Sequence, residues 1–91
     1  MKPMTSDAER NFIGMCEAMG WDPDEVRSKD RSLDIVTMKT ILSRRLRDYG
    51  YSYHIIGYVL NVHHSTVIHH INKLPTKYEN KLLRELTERY I

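Results

Sequence analysis

A stretch rich in histidine and hydroxyl side chains, residues 51–74, carries the residue types of this chain that are best suited to contact a ligand. Its second half has helical spacing, and at about 100° per residue Ser65, His69 and Asn72 point to one side of that helix. That side holds no acidic group, and short hydroxyls and imidazoles stand where a solvated helix usually carries Glu and Lys. Small donors and acceptors near a helix N-terminus suit the floor of a DNA major groove. We therefore expect this face to contact DNA bases.

The same stretch predicts two short helices joined by a tight turn. Ser52 can cap the first helix, which is expected over residues 52–60. Asn61 tolerates the left-handed conformation that ends a helix, so the chain can turn sharply into a second helix over residues 63–73. The apolar residues that must face a core are Ile55, Ile56, Val59 and Leu60 in the first helix and Val67, Ile71 and Leu74 in the second. This arrangement is a helix-turn-helix, a common DNA-binding motif.

Three short motifs occur here in a fixed order, Ile56-Gly57, His64-Ser65-Thr66-Val67 and Lys73-Leu74. Together they resemble the C-terminal DNA-binding domain of the bacterial replication initiator DnaA, whose signature has an Ile-Gly pair, an Asp-His-Thr-Thr-Val core and a closing Lys-Ile. The resemblance continues upstream through Ser28-Lys29-Asp30-Arg31-Ser32, Ile35-Val36 and Arg45-Leu46-Arg47-Asp48. It covers residues 6–74, most of the chain.

The resemblance implies which residues contact DNA. The positions that match the family's base-contacting residues are His54, His63, His64, Ser65 and Thr66, and His69 joins them because of its outward position. The positions that match its phosphate or minor-groove contacts are Lys29 and Arg31 in a basic loop, Thr37, Lys39 and Lys73. We also expect Arg45 to reach the DNA backbone. The alternative is that Arg44, Arg45 and Arg47 form an ordinary solvated face.

The turn of the motif departs from the family pattern. The family has Gly-Gly-Arg-Asp, one residue longer and charged, where this chain has Asn61-Val62-His63. Without that Arg and Asp, the preferred DNA sequence is expected to differ from the family's usual box. The chain also lacks a G-x-x-x-x-G-K-[ST] phosphate loop, so we expect no nucleotide and no other cofactor. A free-standing module of a phage or mobile element fits this pattern, acting in origin binding, competition with the host initiator or transcriptional control.

Charge is unevenly distributed along the 91 residues. The net charge is +2, but residues 31–74 hold six Lys and Arg against two Asp and Glu, and all five histidines. A polyanionic partner should therefore meet this middle segment. The length predicts a single domain over residues 1–91, with a core over 6–74 and an added helix over 76–90. The lone Cys16 and the lack of an apolar leader or long apolar run predict a soluble protein of the bacterial cytoplasm, nucleoid or infected host, with no membrane partner.

Helical spacing elsewhere predicts an all-α fold. A helix over residues 7–19 should begin with a capping box of Ser6 and Glu9, and a short helix should follow Asp22. A long helix is expected over residues 33–49. Its buried edge should consist of Ile35, Met38, Leu42, Leu46 and Tyr49, and its solvated side of Lys39, Arg44, Arg45 and Arg47. We expect a compact domain of five to six helices with a central helix-turn-helix, similar to the DnaA C-terminal or Trp-repressor-like fold.

A protein-interaction module is the main alternative to DNA binding. A last helix over residues 77–90 has an apolar stripe of Tyr78, Leu82, Leu86 and Tyr90. This stripe can pack against a second copy or a host replication protein instead of its own core. In that case the chain forms a homodimer or a complex, and the histidines are incidental.

Catalysis and metal binding are not expected. No Ser-His-Asp, metal-ligand or paired-carboxylate arrangement has supporting spacing, so the sequence does not indicate an enzyme. No two histidines are four residues apart, which disfavours a shared metal on one helix face. For His64 and His70, on the flanks of the buried edge, a half-buried and hydrogen-bonded structural role is the alternative to DNA contact.

Overall fold

The computed structural model describes residues 3–90, with the side chains of residues 5–90, as six α-helices without a strand. The helices are α1 (Pro3–Met19), α2 (Pro23–Val26), α3 (Leu33–Asp48), α4 (Tyr53–Leu60), α5 (His64–Asn72) and α6 (Lys77–Arg89). The all-α prediction, the number of helices and the compact shape are confirmed, since the Cα radius of gyration is 11.9 Å. None of these helices is long and apolar enough to cross a membrane.

Two of the predicted capping residues, Asp22 and Ser52, are confirmed, and Ser32 caps α3 in the same way. Asp22, Ser32 and Ser52 each accept a hydrogen bond from a backbone N–H in the first turn of the helix that follows. The predicted capping box of Ser6 and Glu9 is wrong, because α1 already begins at Pro3 and Ser6 lies inside it. Proline is well tolerated in a first turn, where its missing N–H has no partner to lose.

The core is built where α1, α3, α4 and α6 meet. Its largest fully buried side chains are Phe12, Met15, Ile35, Ile41, Leu42, Leu46, Ile56, Leu60 and Leu86. α5 adds Val67, which is fully buried, and Ile71, which is partly buried against the same cluster. The apolar face of each helix is therefore covered by its neighbours, and the burial of this surface stabilises the fold.

α6 packs against the rest of this chain. Leu86 is fully buried, Leu82 and Tyr90 pack on the core, and the Tyr90 hydroxyl donates a 2.6 Å hydrogen bond to Asn11 Oδ1 in α1. Tyr78 is the exception, with 58% of its surface exposed. Most of the stripe that could have served a partner is thus occupied by the chain's own helices.

Three further predictions, two of burial and one of exposure, are wrong. Leu74 is 91% exposed, because Lys73 ends α5 in an extended conformation and helical spacing no longer applies beyond it. Tyr49 lies at the C-cap of α3, is 38% exposed and stacks on the rings of Tyr51 and Tyr90. Lys39, expected in water, is only 8% exposed.

Candidate nucleic-acid interface

The turn between α4 and α5 is tight and well defined by local contacts. Asn61 adopts the left-handed conformation, with φ 59° and ψ 44°, and ends α4. The next N–H, that of Val62, donates a 2.9 Å hydrogen bond back to the Gly57 carbonyl. A Cβ at Gly57 would lie 2.7 Å from the Val62 carbonyl oxygen, so the close approach of the two helices requires glycine. The predicted helix-turn-helix geometry is present in the structure.

The orientation predicted for α5 is confirmed. Val67 is fully buried under the helix, while Ser65, His69 and Asn72 are exposed on the opposite side. α5 contains no Lys, Arg, Asp or Glu. The exposed face therefore offers hydroxyl, imidazole and amide groups, with apolar side chains at its edges.

Three imidazoles meet at the N-terminus of α5. The His64 ring centroid lies 4.1 Å from that of His54 in α4 and 4.2 Å from that of His63. His63 is the N-cap: its Nδ1 accepts the Ser65 N–H at 3.2 Å and lies 2.8 Å from the Ser65 hydroxyl. Desolvation, and then the neighbouring His54 and His63, lower the pKa of His64. The family resemblance predicts that these residues lie near DNA, but the sequence does not indicate that the His54 ring contacts the His64 ring across the turn.

The basic loop and the start of α5 line one cleft of about 560 Å³. The cationic side chains around it are Lys29, Arg31 and Lys39, and His63, Thr66 and His70 form its other side. Asp30 also lies in the cleft and caps the loop by accepting the Ser32 N–H at 2.9 Å. Residues from the loop, α3 and α5 that are far apart in sequence are thus brought together at the first turns of α5.

Lys39 is held inside this cleft. Its Nζ donates a 2.8 Å hydrogen bond to the Ser28 carbonyl at the start of the loop. Desolvation lowers the pKa of Lys39, although the nearby Asp30 carboxylate acts in the opposite direction. The ammonium therefore fixes the loop to α3, a role that the sequence pattern did not suggest.

Two residues predicted to contact the DNA backbone lie apart from this cleft. Thr37 is 6% exposed and lines a separate cleft with Trp21 and Tyr78, between α3 and α6. The guanidinium of Arg45 lies 5.1 Å from the Tyr49 ring centroid, and its Nη1 is 3.8 Å from an Asp48 carboxylate oxygen. The structure does not bring either residue together with α5.

Lys73 is engaged with α6. Its Nζ lies 3.2 Å from a carboxylate oxygen of Glu79, a residue that is only 4% exposed. Arg44 of α3 donates a hydrogen bond to the Lys73 carbonyl. Burial raises the pKa of Glu79, but the hydrogen bond from Thr76 and the Lys73 ammonium outweigh it and lower the pKa. The end of α5 is therefore joined to α3 and α6 by charged groups.

His70 has the structural role that the sequence left open as an alternative. It is 7% exposed, and its Nδ1 lies 3.0 Å from the Thr40 hydroxyl of α3. Desolvation is the main cause that lowers its pKa to about 4, and Lys73, His69 and Lys39 add to the shift. His70 is thus neutral at physiological pH and fastens α5 to α3. His64 is only half-buried.

Metal binding finds no support in the part of the chain that the structure describes. Among residues 3–90, no three His, Cys, Asp or Glu side chains are grouped so that they could hold a metal ion. Cys16 is buried in the core, and desolvation by burial is the main cause that raises the pKa of its thiol to about 12. This cysteine is therefore a core residue and not a reactive thiol.

Comparison with protein-family models, curated proteins and solved structures finds no match for this chain. The resemblance to the DnaA C-terminal domain therefore rests on the residues of the motif alone, and it stays a prediction.

Proposed function

We propose that this chain binds double-stranded DNA in a sequence-dependent way, with α5 in the major groove. The observation that carries the proposal is the position of Lys29 and Arg31 in one cleft with His63 and Thr66, beside the first turn of α5. Phosphates flank the major groove, so a helix that enters it needs cations beside its N-terminal end. Both Lys29 and Arg31 are exposed and can supply them.

The exposed face of α5 supports base contact. Ser65 and His69 lie on the outward side, and Thr66 lies on the shoulder toward the basic cleft. Hydroxyl and imidazole groups can donate and accept hydrogen bonds at base edges. In this proposal His54, His63 and His64 line the approach of the DNA to the first turn.

The biological setting follows from the resemblance. A relative of the DnaA C-terminal domain would act at a replication origin or a promoter, in a bacterial cytoplasm or an infected host. The three motifs that carry this proposal lie in α4, in α5 and at the C-cap of α5.

The test is selection of bound duplexes from a random DNA library at near-physiological salt, with the full chain and with Ser65→Ala in parallel. We expect wild type to enrich a defined motif, and Ser65→Ala to bind about 1–3 kcal/mol more weakly and to relax the motif at one position. Asn80→Ala is the matched control, because Asn80 is also an exposed polar residue but lies on α6. Enrichment that is unchanged in Ser65→Ala would show that α5 is not the reading helix.

The protein-interaction alternative is separated by salt. Contacts to phosphates make log K fall linearly with log salt, whereas an apolar interface responds weakly. The packing of Leu82, Leu86 and Tyr90 against the chain's own core leaves only Tyr78 of that stripe exposed. Failure to bind any duplex, together with dimer formation that is insensitive to salt, would favour the alternative.

A further inference from the structure

We propose that α5 reads A·T base pairs, with Ile68 packed against a thymine methyl group and Asn72 hydrogen-bonded to adenine. This inference rests on the proposed DNA binding and specifies which base pairs lie beneath the helix. Three observations support it. The exposed face of α5 has none of the charged side chains that typically read G·C pairs. Cations at the end of the helix are held by other contacts, and one apolar side chain, Ile68, lies on the outward face.

Recognition of G·C pairs uses charged side chains. Guanine is most often read by a bidentate Arg or Lys, and the cytosine amino group by a Glu or Asp acceptor. The sequence of α5, HSTVIHHIN, contains none of these four residue types. Two kinds of group in α5 can distinguish base pairs directly. The Asn72 amide can form hydrogen bonds with the edge of adenine, and an apolar side chain can contact the thymine methyl group.

Two cations at the end of α5, Lys73 and Arg44, are held by contacts within the chain, and so is Arg47 of α3. Lys73 is ion-paired with the buried Glu79, and Arg44 donates to the Lys73 carbonyl. Arg47 donates from Nη1 to the Tyr51 carbonyl at 2.8 Å, and its guanidinium lies 4.5 Å from the Tyr53 ring centroid. These contacts hold Lys73, Arg44 and Arg47 in place, and α5 itself contributes no Lys or Arg to the outward face.

The cations near the N-terminal end of α5 are expected to face the DNA backbone. Lys29 and Arg31 belong to the loop that lines the cleft beside α5, and Lys39 is tied to the Ser28 carbonyl. In the proposed docking these groups meet phosphates, which are the same for every base pair.

Ile68 is placed to meet a base. At about 100° per residue it lies about 60° from Ser65 and about 40° from Asn72 around the helix axis, within the outward face. Ile68 is partly exposed, whereas the preceding residue, Val67, is fully buried. A branched apolar side chain among polar groups on a groove-facing surface is suited to contact the C5-methyl group of thymine.

The remaining polar groups do not select guanine. The His69 imidazole can donate a hydrogen bond to a purine N7, an acceptor that adenine and guanine share. The Ser65 hydroxyl can contact either kind of base pair. On the outward face of α5, the preference for A·T over G·C pairs therefore rests on Ile68 and Asn72.

The experiment removes thymine methyl groups from the DNA. The full chain is titrated with the duplex selected from the random library and with copies in which deoxyuridine replaces thymidine one position at a time. Loss of one buried methyl group should weaken binding about fourfold at one or two positions and leave the others unchanged. This comparison uses the wild-type protein, so it does not depend on any variant folding.

Variants assign the effect to residues. Ile68→Ala should bind the thymidine and deoxyuridine duplexes equally, because the side chain that senses the methyl group is gone. Ile13→Ala is the control, since Ile13 is 37% exposed on α1. Asn72→Ala should relax the preference for adenine at one position of the motif.

The outcomes separate the inference from the function beneath it. A selected motif with G·C pairs at the positions sensitive to Ile68→Ala or Asn72→Ala, or deoxyuridine duplexes that all bind like the parent, would overturn A·T reading and leave sequence-dependent DNA binding intact. Salt-sensitive binding without any enriched motif would overturn A·T reading as well. Absence of binding to every duplex would overturn both.

Discussion

The Nζ of Lys39 in α3 donates a 2.8 Å hydrogen bond to the backbone carbonyl of Ser28, where the basic loop begins. This bond joins a helix of the core to the segment that carries Lys29 and Arg31. The family resemblance assigns Lys39 to DNA, but its ammonium is engaged with the loop and the residue is 8% exposed. Lys39 therefore positions the loop cations, and in the proposed DNA binding we expect it to act through them.

Lys29 and Lys39 should respond differently to substitution. Lys29→Ala should remove one phosphate contact and reduce the magnitude of the slope of log K against log salt by about 0.9, without a change in melting temperature. Lys39→Met should lower both the melting temperature and the affinity, because the Ser28 carbonyl loses its partner and the loop loosens. Lys81→Ala, on the exposed side of α6, is the control for charge alone. A Lys39→Met protein of unchanged stability but reduced salt slope would identify Lys39 as a direct DNA contact.

Lys73 should contribute mainly to stability. Replacement by Met leaves the Glu79 carboxylate, which is 4% exposed, without its ammonium partner. We expect a loss of roughly 1–3 kcal/mol in the free energy of unfolding, measured by urea denaturation. The double variant Lys73→Met/Glu79→Gln should recover much of that loss, because the uncompensated charge is removed. If Lys73→Met instead weakens DNA binding at unchanged stability, the family assignment of this lysine to a phosphate is correct.

His70 should make stability fall in mild acid. Its pKa is lowered from 6.5 to about 4 in the folded chain, so the unfolded chain binds the proton more readily. The stability contributed by neutral His70 is complete above pH 6.5 and is lost as the pH falls toward 4, with roughly 2 kcal/mol lost at pH 5. Neighbouring charges also shift the pKa of His70: it is lowered by Lys73, His69 and Lys39 and raised by Glu79. Glu79, whose pKa is also lowered, loses its contribution at still lower pH.

Urea denaturation of wild type and His70→Asn across pH 4–8 tests this. Asn can keep a hydrogen bond with the Thr40 hydroxyl but does not titrate, so the variant should lose less stability in acid than wild type. His69→Asn removes only one of the smaller causes of the His70 shift, so it should reduce the acid loss far less than His70→Asn does. Parallel profiles for wild type and His70→Asn would show that another group causes the acid loss.

The local signals of the sequence predicted the helix-turn-helix well. Ser52 and Asn61 are small polar residues whose capping behaviour is independent of distant contacts, and both act as expected. The buried Val67 and the exposed Ser65 and His69 follow from helical period alone. Local capping and period therefore fixed the direction in which α5 faces.

Tertiary partners were not predictable in the same way. The bonds from Lys39 to Ser28 and from Arg44 to Lys73 join residues 11 and 29 positions apart, and no spacing rule marks them. On residue type alone, Lys and Arg side chains are expected to face water. Lys39 and Arg44 instead donate to backbone carbonyls, that of Ser28 at the start of the basic loop and that of Lys73 at the end of α5. The DNA contacts predicted for Thr37 and Arg45 depend on position in the sequence. In the structure Thr37 lines a cleft with Tyr78 of α6, and the Arg45 guanidinium lies beside the Tyr49 ring.

Gly57 tests how closely α4 and α5 must approach. A mid-helix Gly→Ala change ordinarily stabilises by roughly 0.5–1 kcal/mol, because glycine loses more backbone entropy on folding. At Gly57 the new methyl group would lie 2.7 Å from the Val62 carbonyl oxygen and 3.3 Å from the His64 nitrogen, which are backbone atoms of the turn. The clash should outweigh the gain and leave Gly57→Ala about 1–3 kcal/mol less stable, with weaker DNA binding because α5 is displaced.

Gly14→Ala provides the contrast. Its methyl group would lie 2.5 Å from the Tyr90 ring, which is the far end of a side chain at the C-cap of α6 and can move aside. The entropic gain and the cost of moving the ring should nearly cancel, and DNA affinity should not change, since Gly14 is remote in sequence from the α4–α5 turn. Thermal melting and duplex titration of both variants measure the difference. A Gly57→Ala protein as stable as Gly14→Ala would show that the turn can open without loss, and the close packing of α4 on α5 would then not be what positions the reading helix.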